Sequence, residues 1–351
     1  MTLFPESGPG LLVVVGGGGV GKTTLAAALG VQSARAGRST LVVTFDPSHR
    51  LKDALGVGRA AAEREVDVPL GAPARLAASL LDAGATFDRL VAAYAPDAAA
   101  RERILGNRFY RHLAGSLSGV LEYMAVERLF ELFSTGEFEQ IILDTPPTRA
   151  ALDFLGAPER IVGFLDSGAL KVTQKDWFTA DGRFRPSAGW GVLGRGVEEV
   201  LDRVVGLDFL RDMIEFFQAF GPLYDGFRAR AEQVKALLVA PETNFLLVSG
   251  PGAERVPDAL FFARKLVERG HRLGPLVVNR VFPRLPASDS GDAGSGGELF
   301  RWRGEEDARG LELLASLVGT RHPVVPLPLA RREPTDLESL EVLGGELLRR
   351  L

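Results

Sequence analysis

The sequence predicts an α/β protein built on a doubly wound, mainly parallel sheet of about seven to eight strands, carrying helical insertions. Three observations lead there. Short runs rich in Val, Ile and Leu recur along the chain with helical stretches between them. The runs are continuously apolar rather than alternating, as strands covered on both faces require. A glycine-rich segment separates the first run from the first helical stretch, the usual place for a ligand loop at the carboxyl edge of such a sheet.

The runs fall at residues 11–15, 39–45, 76–81, 138–143, 245–249, 275–278 and 323–327. Helical stretches between successive runs imply crossover connections and so parallel pairing. Two long intervals carry no strand signal. Residues 85–135 have Ala-rich and Arg/Glu-rich stretches at amphipathic helical spacing. Residues 158–240 begin with an irregular part, 168–194, that holds Gly, Pro, Trp177 and Trp190, and then read as helical again. Both intervals are expected as helical insertions, about 85–135 and 158–240, on a single nucleotide-binding domain spanning 1–351. The Gly/Ser/Asp-rich stretch 287–298 is expected to be a flexible loop.

Composition narrows the function classes. The net charge is −4 and the basic residues are dispersed among acidic ones, so no nucleic-acid footprint is present. Cysteine is absent, which removes disulfides, thiolate zinc sites and cysteine nucleophiles together. The first ten residues lack a basic start followed by an apolar core, and no stretch reaches 18 uninterrupted apolar residues. A cytoplasmic location with no integral membrane segment is therefore expected.

Residues 16–23 read GGGGVGKT, which satisfies G-x-x-x-x-G-K-[ST] in the required setting of strand before and helix after. The glycines let backbone N–H groups of Gly18, Gly19, Val20 and Gly21 converge on phosphate oxygens, and the helix N-terminus adds a positive dipole end. Lys22 reaches the β and γ oxygens and Thr23 is placed to ligate Mg²⁺. The run 138–143 ends in Asp144, the second carboxylate that a magnesium nucleotide needs. The prolines of TPPTR, residues 145–149, suit a loop that senses the γ-phosphate. Another run ends in Asp46, followed by Pro47, Ser48 and His49; Asp46 either orients the attacking water or simply opens an Asp-Pro turn. His49 is either a capping residue or part of the chemistry.

Four segments in this order resemble the ArsA family of ATPases, the arsenite pumps and their relatives that target tail-anchored membrane proteins: GGVGKTT at 18–24, DPSH at 46–49, DTPPT at 144–148 and VVNR at 277–280. The resemblance covers nearly the whole chain, and DTPPTRAALDFL and FFQAFGPLYDGF are similar to its bacterial anion-transporting branch. It implies ATP and Mg²⁺ as cofactors, with phosphate contacts extending to Thr24. It also implies Asp46 as the water-activating residue, grouped with Thr23 and Asp144 about the metal partly through water. Asn279 becomes the adenine-recognising residue, with the purine-side loop near 326–334 beginning at Pro326. It further implies an ATP-driven dimer, a homodimer or a heterodimer with a related ATPase.

Two departures matter. Family members carry a lysine that reaches across the dimer where this chain has Gly17, so that hydrolysis is slow, another cation substitutes, or a partner subunit completes the site. Arg149 replaces the family's switch glycine and is the candidate substitute, unless it is an ordinary surface arginine. Without cysteines, the family's arsenite site and zinc-clamped dimer cannot form. The segment LDFLRDMIEFFQAF, residues 207–220, is apolar around more than half of a helix. It is either buried in its insertion or part of a groove for a hydrophobic protein client, a contact to which the two tryptophans would add.

Overall fold

The continuous apolar runs become the strands of one eight-stranded sheet. The computed structural model describes residues 3–5, 8–45, 50–57, 65–108, 110, 120–166, 212, 216, 223–285, 295–319 and 322–351, with backbone alone at 50, 52, 53, 120, 121, 148, 149, 164, 165, 295 and 296. The strands are β1 (Gly10–Gly16), β2 (Thr40–Thr44), β3 (Val66–Asp67), β4 (Leu76–Leu80), β5 (Gln140–Asp144), β6 (Thr243–Ser249), β7 (Leu273–Val281) and β8 (Val324–Pro328). Their order is β3-β4-β2-β5-β1-β6-β7-β8, and every pairing is parallel except β3 with β4. The described helices are α1 (Lys22–Arg35), α2 (Arg50–Leu55), α3 (Ala83–Tyr94), α4 (Ala98–Gly106), α5 (Val120–Thr135), α6 (Thr148–Leu155), α7 (Ala157–Asp166), α8 (Tyr224–Val239), α9 (Val256–Glu268), α10 (Ser295–Val318) and α11 (Leu337–Arg350).

The seven expected runs all lie on strands, and β3 is the addition. It is two residues long and antiparallel at the sheet edge, too short to leave a periodic signal. A second difference concerns the loop expected at 287–298. Helix α10 already begins at Ser295, with Glu298 in its first turn, where a carboxylate favours the positive end of the helix dipole. Residues 287–294 lie outside the described residues.

The chain divides into two compact units. The first, Met1–Leu81, Leu129–Leu152 and Ala236–Leu351, holds the sheet. Every residue of β1 is buried, which each fully covered Val or Leu rewards with about 1.5–3 kcal/mol. Helix α1 is rich in Ala and Leu, most of them inaccessible to solvent, and α11 lies across it. Closeness there depends on Gly344: a Cβ at that position would come within 2.6 Å of the Ala28 carbonyl oxygen. Gln32 and Arg35 on α1 both reach Glu341 on α11.

The second unit, Asp82–Arg128 and Asp153–Lys235, is helical where described. Its helices start on capping carboxylates, Asp82 for α3 and Asp97 for α4, as the unpaired first-turn N–H groups require. The core is aromatic, with Phe87, Tyr110, Phe216 and Phe227 packed on Ile104 and Val91. Glu127 is buried within it and is held by Arg230 at 2.5 Å and by the Tyr123 hydroxyl at 3.2 Å. Burial pushes the Tyr123 and Tyr110 hydroxyls upward, reinforced by Glu127 and Asp88 respectively. Trp177, Trp190 and residues 207–220 lie outside the described residues, apart from Asp212 and Phe216. Phe216 is 3% exposed in the unit's own core, which is where the burial reading of that segment puts it.

Two stability outcomes are expected. Gly344→Val drives a β-branched side chain into the α1 backbone and lowers stability by about 1–3 kcal/mol, measured by chemical denaturation. Arg230→Met takes the cation from a buried carboxylate and costs about 3 kcal/mol in the unfolding of the helical unit.

Candidate nucleotide site

All described residues of the site belong to the first unit. Strand β1 runs between β5 and β6 and delivers its carboxyl end to the loop 16–21. Gly16 has φ 148 and sits so close to β6 that a Cβ would fall 1.9 Å from the Val248 carbonyl oxygen. Gly21, at φ 94, caps α1 in a left-handed conformation, and a Cβ there would strike the Asn279 amide at 2.4 Å. These two positions accept only glycine.

Lys22 is 7% exposed and lies back across the loop, its Nζ donating to the Gly17 carbonyl at 2.7 Å. A phosphate oxygen in the same reach can take the place of that carbonyl. Thr23 Oγ1 donates to Asp144 Oδ2 at 2.7 Å, and Thr44 Oγ1 at the end of β2 donates to the same oxygen at 3.1 Å. Thr145, next along, is tied back to the Val14 carbonyl through its hydroxyl at 2.8 Å. The structure thus brings Lys22, Thr23 and Asp144 together as the motifs imply. Thr44 went unnoticed in the sequence, although a lone hydroxyl ending an apolar strand was its signal.

Asn279 and Arg280 approach the loop from β7. Asn279 Nδ2 donates to the Val20 carbonyl at 2.8 Å, and Arg280 Nη1 donates to the Gly19 carbonyl at 3.2 Å. A peptide unit is planar and trans, so a carbonyl held outward turns the following N–H to the other side. Anchoring the Gly19 and Val20 carbonyls therefore aims the Val20 and Gly21 N–H groups away from β7, toward the interior of the loop.

Two of the cavities among the described residues are lined by Asn279 and Arg280. One, of about 280 Å³, is walled by Thr24, Asn279, Arg280 and the loop after β8 that includes Pro328, Leu329 and Glu333. The other, of about 340 Å³, adjoins Gly18, Gly19 and Val20 and is bordered by Arg255, Arg303 and Phe282. Pro326 takes no part in either. It lies within β8 opposite Val278, because that strand continues to Pro328 before the loop begins. Asp46 and His49 lie outside the described residues, as does the side chain of Arg149, whose backbone is in the first turn of α6.

A divalent metal can be tested against these donors. The Thr23 hydroxyl and the Asp144 carboxylate are hard oxygen groups converging on one point, and magnesium bound with a nucleotide takes few protein ligands beside phosphate and water. Among the described residues there is no cluster of three His, Asp or Glu that would suit a metal held by protein alone. The residues present therefore fit magnesium carried in with phosphate.

The sequence profile of the anion-transporting ATPases, the ArsA ATPase family, matches residues 10–175. The chain is 34% identical over 150 residues to the ATPase get3 of Aspergillus terreus, covering 42% of each protein. It is 32% identical over 166 residues to the ATPase GET3 of Pyricularia oryzae, covering 46% of each. An uncharacterized protein of Streptomyces coelicolor is 29% identical over 303 residues, 85% of this chain and 70% of that one. The chain thus spans less than half the length of the two named ATPases it matches. No described helix is long and apolar enough to cross a membrane. With its eight-stranded sheet, complete phosphate loop and paired Thr23 and Asp144, the chain is similar over residues 10–175 to the ArsA family of P-loop ATPases.

Proposed function

We propose that this protein binds ATP with Mg²⁺ on residues 18–24 and hydrolyses it, acting in the cytoplasm as a dimeric switch that couples nucleotide state to a hydrophobic protein client. The observation that carries the reading is the convergence of Thr23 and Asp144 at 2.7 Å beside Lys22. Loop N–H groups and Lys22 neutralise the phosphate chain, and Asn279 and Thr24 border the cavity available to the base. Thr44 and Thr23 fix the Asp144 carboxylate so that it needs no reorganisation as charge develops. Asp46 is assigned to orienting the attacking water, and Arg149 to the charge on the transferred phosphoryl group. Magnesium would be held by Thr23 and Asp144, with Asp46 acting partly through water, and would supply charge neutralisation of the phosphates.

Position 17 favours a second reading, an ATP-binding regulatory or scaffold subunit with poor intrinsic hydrolysis that a lysine-bearing partner completes. A Cβ at Gly17 would meet only Val20 Cγ1, at an ordinary 3.5 Å, so the loop leaves room for the first carbon of the side chain that is missing there. Steady-state hydrolysis by the purified chain supports the first reading; tight ATP binding without turnover until such a homologue is added supports the second.

Lys22→Ala is expected to weaken ATP binding by about a hundredfold in calorimetry, through loss of a charge-assisted phosphate contact. ATP affinity unchanged in that variant would remove the phosphate-loop assignment. Asp144→Asn should lower hydrolysis by about 10²–10³ while the protein still binds nucleotide. Chelation of divalent ions should bring the wild type to a similarly low rate. Arg149→Ala should slow turnover with little change in ATP affinity, and a rate equal to wild type excludes its catalytic assignment.

A further inference from the structure

Consecutive residues of a regular strand point to opposite faces of the sheet. Asn279 and Arg280 break that rule. Both reach the phosphate loop, at the successive carbonyls of Val20 and Gly19. The cause lies in the backbone. Pairing between β7 and β8 runs Asn279 with Leu327 and then Val281 with Pro328, leaving Arg280 as the extra residue at a shift in register. Arg280 is also the only non-glycine with positive φ among the described residues, at 64°. Its own N–H donates to Asn279 Oδ1 at 2.9 Å, which holds the bulge closed. A bulge of this kind re-aims a side chain, and strained backbone persists where the surroundings over-determine it.

What the strain secures is a bridge. Arg280 Nη1 holds the Gly19 carbonyl, while Nη2 reaches Glu333 at 3.3 Å on the loop after β8. The planar guanidinium serves two directions at once, which a lysine ammonium on a flexible stem does with much less fixity. We infer that Arg280 is a positioning residue of the phosphate loop: by holding the Gly19 carbonyl outward from an anchor on Glu333, it keeps the Val20 N–H aimed at the phosphate chain. This inference rests on the nucleotide reading above and deepens it, because it assigns the geometry of the anion cradle to a residue outside the loop motif.

The role separates from a contact with the base. If Arg280 orients loop N–H groups, its removal weakens everything that binds through phosphates, whether or not a base is attached. The probes are ATP and inorganic tripolyphosphate, each with magnesium, titrated by calorimetry against the full chain. Arg280→Gly is the main variant, since glycine adopts positive φ without strain and keeps the bulge while removing the guanidinium; Arg280→Ala is the companion. Both affinities should fall about tenfold and by the same factor, with the ligand-free thermal midpoint of Arg280→Gly close to wild type. Arg280→Lys should restore part of the loss. Glu333→Gln should give a smaller loss that adds little to Arg280→Gly, because the two residues act through one bridge.

A loss confined to ATP would overturn the inference in favour of a base contact, and unchanged affinities for both probes would overturn it outright. Failure of the wild-type chain to bind either probe would sink the nucleotide reading itself, and the inference with it.

Discussion

Strand β1 is paired on both sides, and that double pairing sets the level of every group in the site. Val14 lies opposite Asp144 on β5, and Gly16 lies opposite Val248 on β6. A slip of one residue on either side would exchange the side chains packed on the two buried faces of the sheet, so the register is fixed by packing. Two consequences follow for chemistry. Asp144 emerges at the height of the α1 N-terminus, within reach of the Thr23 hydroxyl. The chain also has to leave β1 beside the Val248 carbonyl, where only a residue without a side chain passes. The glycines of the loop are thus a demand of sheet packing on one side and of phosphate approach on the other.

The two sides of the loop are built differently. On the Asp144 side, the contacts are short hydroxyl-to-carboxylate bonds between residues that close their strands or open α1, and no unusual backbone is involved. On the β7 side, side chains grip the loop through its carbonyls, and the strand has to be distorted to present two of them in succession. A left-handed non-glycine residue costs roughly 1–2 kcal/mol, so the distortion persists against a standing penalty offset by the contacts it permits. The same residue borders both cavities. The cavity beside Thr24 and the cavity beside Gly18 to Val20 therefore share one mechanical element.

How much of this the sequence disclosed depends on whether the signal was local. The seven strand runs, the loop 16–23 and the carboxylate at Asp144 are written in contiguous residues, where continuous apolarity and glycine spacing leave few alternatives. Strand β3 could not be seen, because two residues carry no period and its partner is supplied by tertiary structure. The family resemblance implies a loop at Pro326, but the residue lies on β8, whose extent depends on pairing with β7. Arg280 is the more instructive case. Its type and its place after Asn279 were plain, yet its function comes from a register shift between two strands over forty residues apart, and nothing in the local pattern encodes such a shift.

The protein's own groups hold the phosphate loop at three of its carbonyls. Lys22 rests on the Gly17 carbonyl. An ammonium carries three donors, so Lys22 can reach a phosphate oxygen while one N–H stays on that carbonyl. The Gly19 and Val20 carbonyls take their partners from β7. The first half of the loop is thus tied by a side chain of its own following helix, and the second half by side chains of a neighbouring strand. The first half contains Gly17, where a Cβ would meet only Val20 Cγ1 at an ordinary 3.5 Å, whereas the second half contains Gly21, where a Cβ would strike the Asn279 amide at 2.4 Å.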